Sequence, residues 1–344
     1  MSPAPAGGGR GKRSRAPAPK GGARGAPPAK GREAKAAWMK AKDASGRRGA
    51  RGAAATRGSA GAHRSAGRSP VNDRGRGPGG KADGPVRRGP KTVGLGGDQV
   101  EGRQAVRELL SAGRRPVTTL LVAEGMDAAD ILDDIEALAT RRRVKVEYVS
   151  RKRLDAAART DGSQGVVALA RPIPDTPLED LCQPTKRGRL PFLLVLDGIT
   201  DPRNLGAVLR SAECAGVTGI VLPRHRSAHL SPTVAKVAAG AIEYLPMALV
   251  AGVPTALQQL ATLGLVTVGL VGEAPASLYD LPLGDQPVAL VLGSEGSGLA
   301  ALTRRRCDEL AAIPQHGTLS SLNVATAGAI ACFDVSRQRS AAGN

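Results

Sequence analysis

From Gln99 to the C-terminus the chain alternates short apolar runs with stretches of helical periodicity; before Asp98 neither pattern is sustained. QVEGRQAVRELLSAG (99–113) predicts a turn and then a helix, because Ala105, Val106, Leu109 and Leu110 recur at three- and four-residue intervals. PVTTLLVAEG (116–125) and VKVEYVS (144–150) predict strands around an amphipathic helix, AADILDDIEALATRR (128–142). A short helix, RKRLDAAAR, precedes a strand at the centre of GSQGVVALAR (162–171). These elements make a compact βαβ-like domain over residues 98–172. Residues 173–190 are proline-rich and then basic, the composition of a linker.

A second alternating run fills residues 191–344. Strands are predicted at PFLLVLD (191–197), TGIVLP (218–223), LVTVGLV (265–271) and PVALVLG (287–293). Helices are predicted at NLGAVLRSAECAG, TVAKVAAGAI, PTALQQLATLG and, from Ala325 onward, in the closing segment. Apolar strands alternating with helices imply an α/β domain with a mostly parallel sheet covered on both faces.

Charge changes the picture only at the N-terminus. Residues 1–97 hold 23 of the 49 lysines and arginines against four acids, a net +19, whereas residues 98–344 hold 26 of each sign. This arm is mostly Gly, Ala, Pro, Arg and Lys, too poor in apolar surface to offset ordering entropy, so disorder is expected. Its one candidate helix is REAKAAWMKAK, Arg32 to Lys42. A basic arm of this kind attracts polyphosphate in a salt-dependent way. Four dispersed cysteines (Cys182, Cys214, Cys307, Cys332) suit a reducing cytoplasm better than disulfides or zinc. No apolar run reaches a membrane span's length and no signal peptide is visible, so a cytoplasmic protein without a membrane partner is expected.

The candidate chemistry lies at strand ends, where open α/β sheets bind ligands. The first strand of the second run ends at Asp197 and leads through Asp201 and Pro202, residues of an ordinary strand–turn–helix, to Asn204, placed to cap the next helix. Arg210 interrupts that otherwise small and apolar helix. VLGSEGSGL (291–299) sets three glycines around Ser294 and Glu295, but matches neither the P-loop nor the dinucleotide fingerprint, which disfavours an oxidoreductase. Near the C-terminus Ser320, Ser321 and Asn323 crowd the start of an apolar helix; one of the two serines suffices as its cap. His225 and His229 stand four apart with no acidic or cysteine ligand near, so no metal is expected.

Three ordered segments, DPRNLGAVLRSAECAG, LVLGSEGSGL and IPQHGTLSSLNVATAGAI, resemble the three motifs of the SpoU (TrmH-like) class of SPOUT RNA 2'-O-ribose methyltransferases. RSAHLSPTVAKVAAGAIEYLP, between the first two, is also similar to the family. The resemblance covers about 245 residues, leaves out the arm, and is nearest the bacterial branch that methylates a guanosine ribose in 23S rRNA. It implies a C-terminal trefoil knot, a rare exception to unknotted chains, and a small domain related to the ribosomal L30e/L7Ae RNA-binding fold. It also implies S-adenosylmethionine as cofactor, RNA as substrate and a homodimer.

Carried over motif by motif, Gly293, Ile313 and Leu322 line the cofactor, with Leu292, Ser321 and Val324 as neighbours, and Asn204, Arg210, Glu295 and Asn323 surround the reacting ribose. A ribose 2'-hydroxyl must lose its proton as it attacks, so a base or an alkoxide-stabilising cation is needed. Arg210 carries that role in the resemblance; an arginine stays protonated, which favours stabilisation over base catalysis. Glu295 would orient Arg210 or Asn204, and Asn323 would position the ribose. Arg103, Arg107, Arg114, Arg115 and the Arg151–Lys152–Arg153 cluster are candidate RNA contacts. A histidine common to the family is absent at Ser163 or its neighbour. Alternatives left open are a tRNA ribose as target and a non-enzymatic RNA-binding or ribosome-assembly factor.

Overall fold

The computed structural model describes residues 94–225, 227–319 and 321–343. Nearly all of the basic arm, with its candidate helix at Arg32 to Lys42, and Ser320 lie outside these residues. Two sheets organise the rest. The smaller has the order β1 (Gln99–Glu101), β4 (Val166–Ala170), β2 (Val117–Ala123), β3 (Lys145–Val149). β2 and β3 run parallel around helix α2 (Asp130–Arg141), whereas β4 is antiparallel to both β1 and β2. Helix α1 (Arg103–Ala112) buries the four predicted residues Ala105, Val106, Leu109 and Leu110. Helix α3 (Arg151–Ala157) buries Leu154 and is capped by Ser150.

Gln99–Glu101 corrects the turn expected there: it is a strand. The polar letters hide it because Glu101 is buried yet satisfied, accepting from Gln99 Nε2 and from the backbone N–H groups of Arg159 and Thr160.

The larger sheet has seven strands, every neighbouring pair parallel. Its order is β7 (Met247–Val250), β6 (Gly219–Pro223), β5 (Phe192–Asp197), β10 (Val288–Gly293), β8 (Val266–Leu270), β11 (Glu309–Ala312), β9 (Ala276–Ser277). The four predicted strands all form, within a residue or two of their expected limits. Side chains alternate between faces with the period of two that a strand imposes. Phe192, Leu194 and Leu196 join one apolar cluster with helices α5 (Pro202–Cys214), α6 (Pro232–Val237) and α9 (Val324–Ala341). Leu193 and Val195 join the opposite cluster, with α4 (Leu178–Leu181) and α7 (Val253–Thr262).

The segment 173–190 joins the two sheets; Leu178, Leu181 and Cys182 are buried on the second face. The first cluster continues without a break into the small sheet, through Leu95, Val100 and Leu109. A buried ion pair crosses the same junction. Glu243 accepts from Arg115 Nε at 2.8 Å and Nη2 at 2.6 Å, while Nη1 donates to the carbonyls of Gly97 and Arg171. Arg115 is therefore removed from the candidate RNA contacts, being only 7% exposed.

Among the described residues no helix is long and apolar enough to cross a membrane. Helix α9 closes the chain against α5 and β10. Its small residues permit the close approach: a Cβ on Gly328 would come within 2.8 Å of Leu292 Cδ1.

Candidate active site

From β5 the chain steps outward through β6 and β7, then returns to the other side, where β10 is inserted between β5 and β8. The direction reverses between β5 and β10, and ligands in open α/β sheets bind at such switch points, beyond the carboxyl ends of the strands. A cleft of about 550 Å³ lies there. Its walls come from the ends of β8 and β10, the glycine-rich loop after β10, and Ile313, Gln315 and Ser321 to Val324 before and at the start of α9.

All six residues expected at the cofactor lie on this cleft: Leu292, Gly293, Ile313, Ser321, Leu322 and Val324. Leu292 and Val324 are buried, whereas Leu322 is 38% exposed. The glycine-rich loop folds back on β10, with Ser294 N donating to Gly298 O and Gly298 N to Ser294 O, each at 3.0 Å. That fold leaves no room beside Gly293, where a Cβ would meet the Gly298 carbonyl carbon at 2.2 Å. The Ser294 and Ser297 hydroxyls stand 2.6 Å apart and brace the loop.

Three of the four expected catalytic residues are joined by hydrogen bonds. Asn323 Oδ1 accepts from the backbone N–H of Ala325 (2.9 Å) and of Thr326 (3.3 Å), which makes Asn323 itself the cap of α9. This corrects the expectation that a serine caps that helix; Ser321 lines the cleft instead. With its oxygen committed, Asn323 must present Nδ2 to its other neighbours. It donates to Asn204 Oδ1 at 3.0 Å and to Glu295 Oε1 at 2.6 Å.

Asn204 passes the polarity on, donating from Nδ2 to Asp201 Oδ2 at 3.1 Å. Asp201 is the cap of α5, accepting from Arg203 N, so Asn204 is not the cap it was expected to be. Each amide orientation is forced from both ends of the chain, by helix N–H donors at one and a carboxylate at the other. Glu295 is held by Asn323, which corrects its expected pairing with Arg210 or Asn204.

Arg210 stands apart. It does not line the cleft, it is exposed, and among the described residues its side chain makes no hydrogen bond or ion pair. Six residues along a helix turn it about 240° from Asn204 and carry it about 9 Å further along the axis. Two charged residues on the cleft were missed in the sequence, Glu273 and Arg304. Glu273 lies just beyond the end of β8, so the strand-end rule that selected Glu295 would have found it. Arg304 opens a run of three arginines on α8 (Ala301–Arg306), and nothing in such a run singles out one member.

Residues 191–333 match the SpoU rRNA Methylase family, and residues 99–176 match the RNA 2'-O ribose methyltransferase substrate binding family. The 23S rRNA (guanosine-2'-O-)-methyltransferase RlmB of Escherichia coli K12 is 38% identical over 245 residues, 71% of this chain and 99% of that protein. The chain belongs to the SpoU rRNA methylase family. The RlmB protein of Pseudomonas putida KT2440 is 39% identical over 246 residues, 70% of this chain and 97% of its own length. Among solved structures, the SpoU methyltransferase AviRb from Streptomyces viridochromogenes superposes with a TM-score of 0.60 at 25% identity, covering 71% of this chain and 90% of that one. An AdoMet-bound rRNA methyltransferase from Sinorhizobium meliloti gives 0.58 at 27% identity, covering 70% and 86%.

The SpoU cofactor is S-adenosylmethionine, and the cleft's residues suit it. Leu292, Ile313, Leu322 and Val324 offer an apolar seat for an adenine, and the Glu273 carboxylate can accept from sugar hydroxyls.

Proposed function

We propose that this protein methylates the 2'-hydroxyl of a guanosine ribose in 23S rRNA, in the cytoplasm, with S-adenosylmethionine as methyl donor. As a SpoU methylase it is an RNA 2'-O-ribose methyltransferase. The guanosine of 23S rRNA is inferred from the RlmB relatives, which match this chain over nearly their whole length. One observation carries the catalytic reading. Asn204, Glu295 and Asn323, from three separate strand ends, meet in one hydrogen-bonded chain at the lip of the cleft.

In this reading Leu292, Gly293, Ile313, Ser321, Leu322 and Val324 hold the cofactor, which supplies an electrophilic methyl group. Asn323 spends its amide on α9, Asn204 and Glu295, so its part is to fix the geometry of the other two. Glu295 Oε2 has no partner among the described residues and accepts a hydrogen bond from the ribose hydroxyl. Arg210, always cationic, stabilises the alkoxide that develops as the hydroxyl proton passes to Glu295 Oε2.

Arg210 does this within a homodimer. Its exposure outside its own cleft, and the half-exposed Phe333 (49%) on the neighbouring helix α9, support a second copy packing there. Residues 313–319 and 321–323, between β11 and α9 and beside the loops of β8 and β10, are read as the threaded part of a trefoil knot. The small sheet is read as a ribosomal-protein-like RNA-binding fold, and the basic arm as a tether for polyphosphate. Mapping 2'-O-methyl groups in rRNA and tRNA from cells with and without the protein tests the function. One 23S rRNA guanosine should lose its methyl group; unchanged rRNA with a lost tRNA methyl group would reassign the substrate.

A further inference from the structure

A second cleft, of about 520 Å³, lies on the small sheet's side of the molecule, lined by Arg103, Gln104, Ile131, Arg151 and Gln164. We propose that it holds one unpaired nucleotide of the RNA substrate, distinct from the one that is methylated. The proposal rests on the reading that RNA is the substrate. The cleft forms where the starts of α1, α2 and α3 meet the turn before β4. Its volume is in the range of small-ligand sites, about 300–1,000 Å³.

Its charge is one-sided: two arginines line it and no acid does. Arg103 is half-buried and fixed, its Nε donating to Gln164 O at 3.1 Å, yet among the described residues it has no carboxylate partner. A partly desolvated cation held without a counter-ion is stabilised by an anion from outside, here a phosphate. Arg151 is exposed and, among the described residues, tied only to Asp155, at 3.5 Å.

The base can be recognised without aromatics, which make up 2% of the chain. Guanidinium planes stack on unpaired bases, and carboxamides read base edges with both donors and acceptors. Ile131 supplies an apolar surface, and Gln104 and Gln164 supply carboxamides. Gln164 adopts a left-handed backbone, φ +57°, rare for a residue with a side chain. Its Oε1 accepts from Arg103 N at 2.9 Å, which leaves its Nε2 without a partner among the described residues. Strained conformations of this kind persist where a ligand site requires them.

The turn is also fastened to the catalytic sheet. Lys236 on α6 donates from Nζ to Asp161 O at 2.9 Å and Gly162 O at 2.7 Å. α6 in turn packs on α5, which carries Asn204 and Arg210. A nucleotide in this cleft therefore sits in a set position relative to the helix that serves the reacting ribose, and it would choose which ribose arrives.

The test uses the full chain carrying both Arg103→Gln and Arg151→Gln, and separately Gln164→Gly, which suits the positive φ and so preserves the fold. Binding to a 23S rRNA transcript is measured against salt, methyl transfer is measured with labelled S-adenosylmethionine, and cofactor binding is measured by calorimetry. The double variant should bind the transcript at least ten-fold more weakly, with a salt slope smaller by about one to two. Its KM for RNA should rise while kcat at saturation and cofactor affinity stay near wild type. Gln164→Gly should raise KM without lowering Tm. Wild-type KM and salt slope in both variants would overturn the nucleotide site. Failure of the unaltered protein to methylate any RNA would instead overturn the functional reading on which it rests.

Discussion

Asn323 shows how one side chain ties a helix cap to the site proposed for the reaction. Its oxygen caps α9 and its nitrogen joins Asn204 to Glu295. Asn323→Asp separates the two roles, because aspartate caps a helix as well as asparagine does, within about 1 kcal/mol. The new carboxylate would face Glu295 in place of an amide donor, so methyl transfer should fall at least ten-fold while Tm stays within a few degrees. Near-wild-type transfer would show that the amide is dispensable. Arg210→Ala should abolish transfer with cofactor affinity and circular dichroism unchanged, since Arg210 supports no packing and lies outside the cleft; persistent turnover would remove it from the mechanism. The thiols make a third residue-scale case. Burial pushes Cys182, Cys307 and Cys332 up to about 12, whereas Cys214 is exposed. An alkylating reagent at pH 8 should therefore label Cys214 alone in the native protein, as peptide mass spectrometry would report.

At the scale of elements, what the sequence revealed follows from how each element is buried. β5, β6, β8 and β10 have neighbours on both edges and helices on both faces, so they are written as unbroken apolar runs. β7 and β11 are four residues each, too short to stand out from the helices beside them. β1 reads as a turn in the sequence because two of its three residues are polar, and only their hydrogen bonds show why they can be buried. Arg115 and Glu243 are 128 positions apart, and no local pattern pairs them. Removing one partner of a buried pair leaves the other charge uncompensated, at a cost of about 3–5 kcal/mol. Glu243→Ala should destabilise by that order in denaturant unfolding; a change under about 1 kcal/mol would mean that water replaces the carboxylate.

The molecule as a whole divides its charge from its core. The net +19 belongs to residues 1–97, and residues 98–344 are balanced. Deleting residues 1–97 should weaken RNA affinity and flatten its salt dependence with cofactor affinity unchanged; an unchanged slope would show that the arm does not touch RNA. Phe333→Glu should shift a dimer to monomers in sedimentation, and a variant that remains dimeric would place the interface elsewhere. By itself the sequence determined the parallel sheet, the three strand-end segments and six of the residues that line the cleft, because each is encoded in a contiguous stretch whose apolar run or motif survives without its neighbours. Only the tertiary structure decided which polar atoms share a bond. Asn323, Asn204 and Glu295 come from segments up to 119 residues apart, and Asn323 became the cap because its own backbone sits at the mouth of α9. A side chain's partners depend on where the fold brings distant strand ends together, and that is settled by the burial of the whole sheet rather than by any local run of residues.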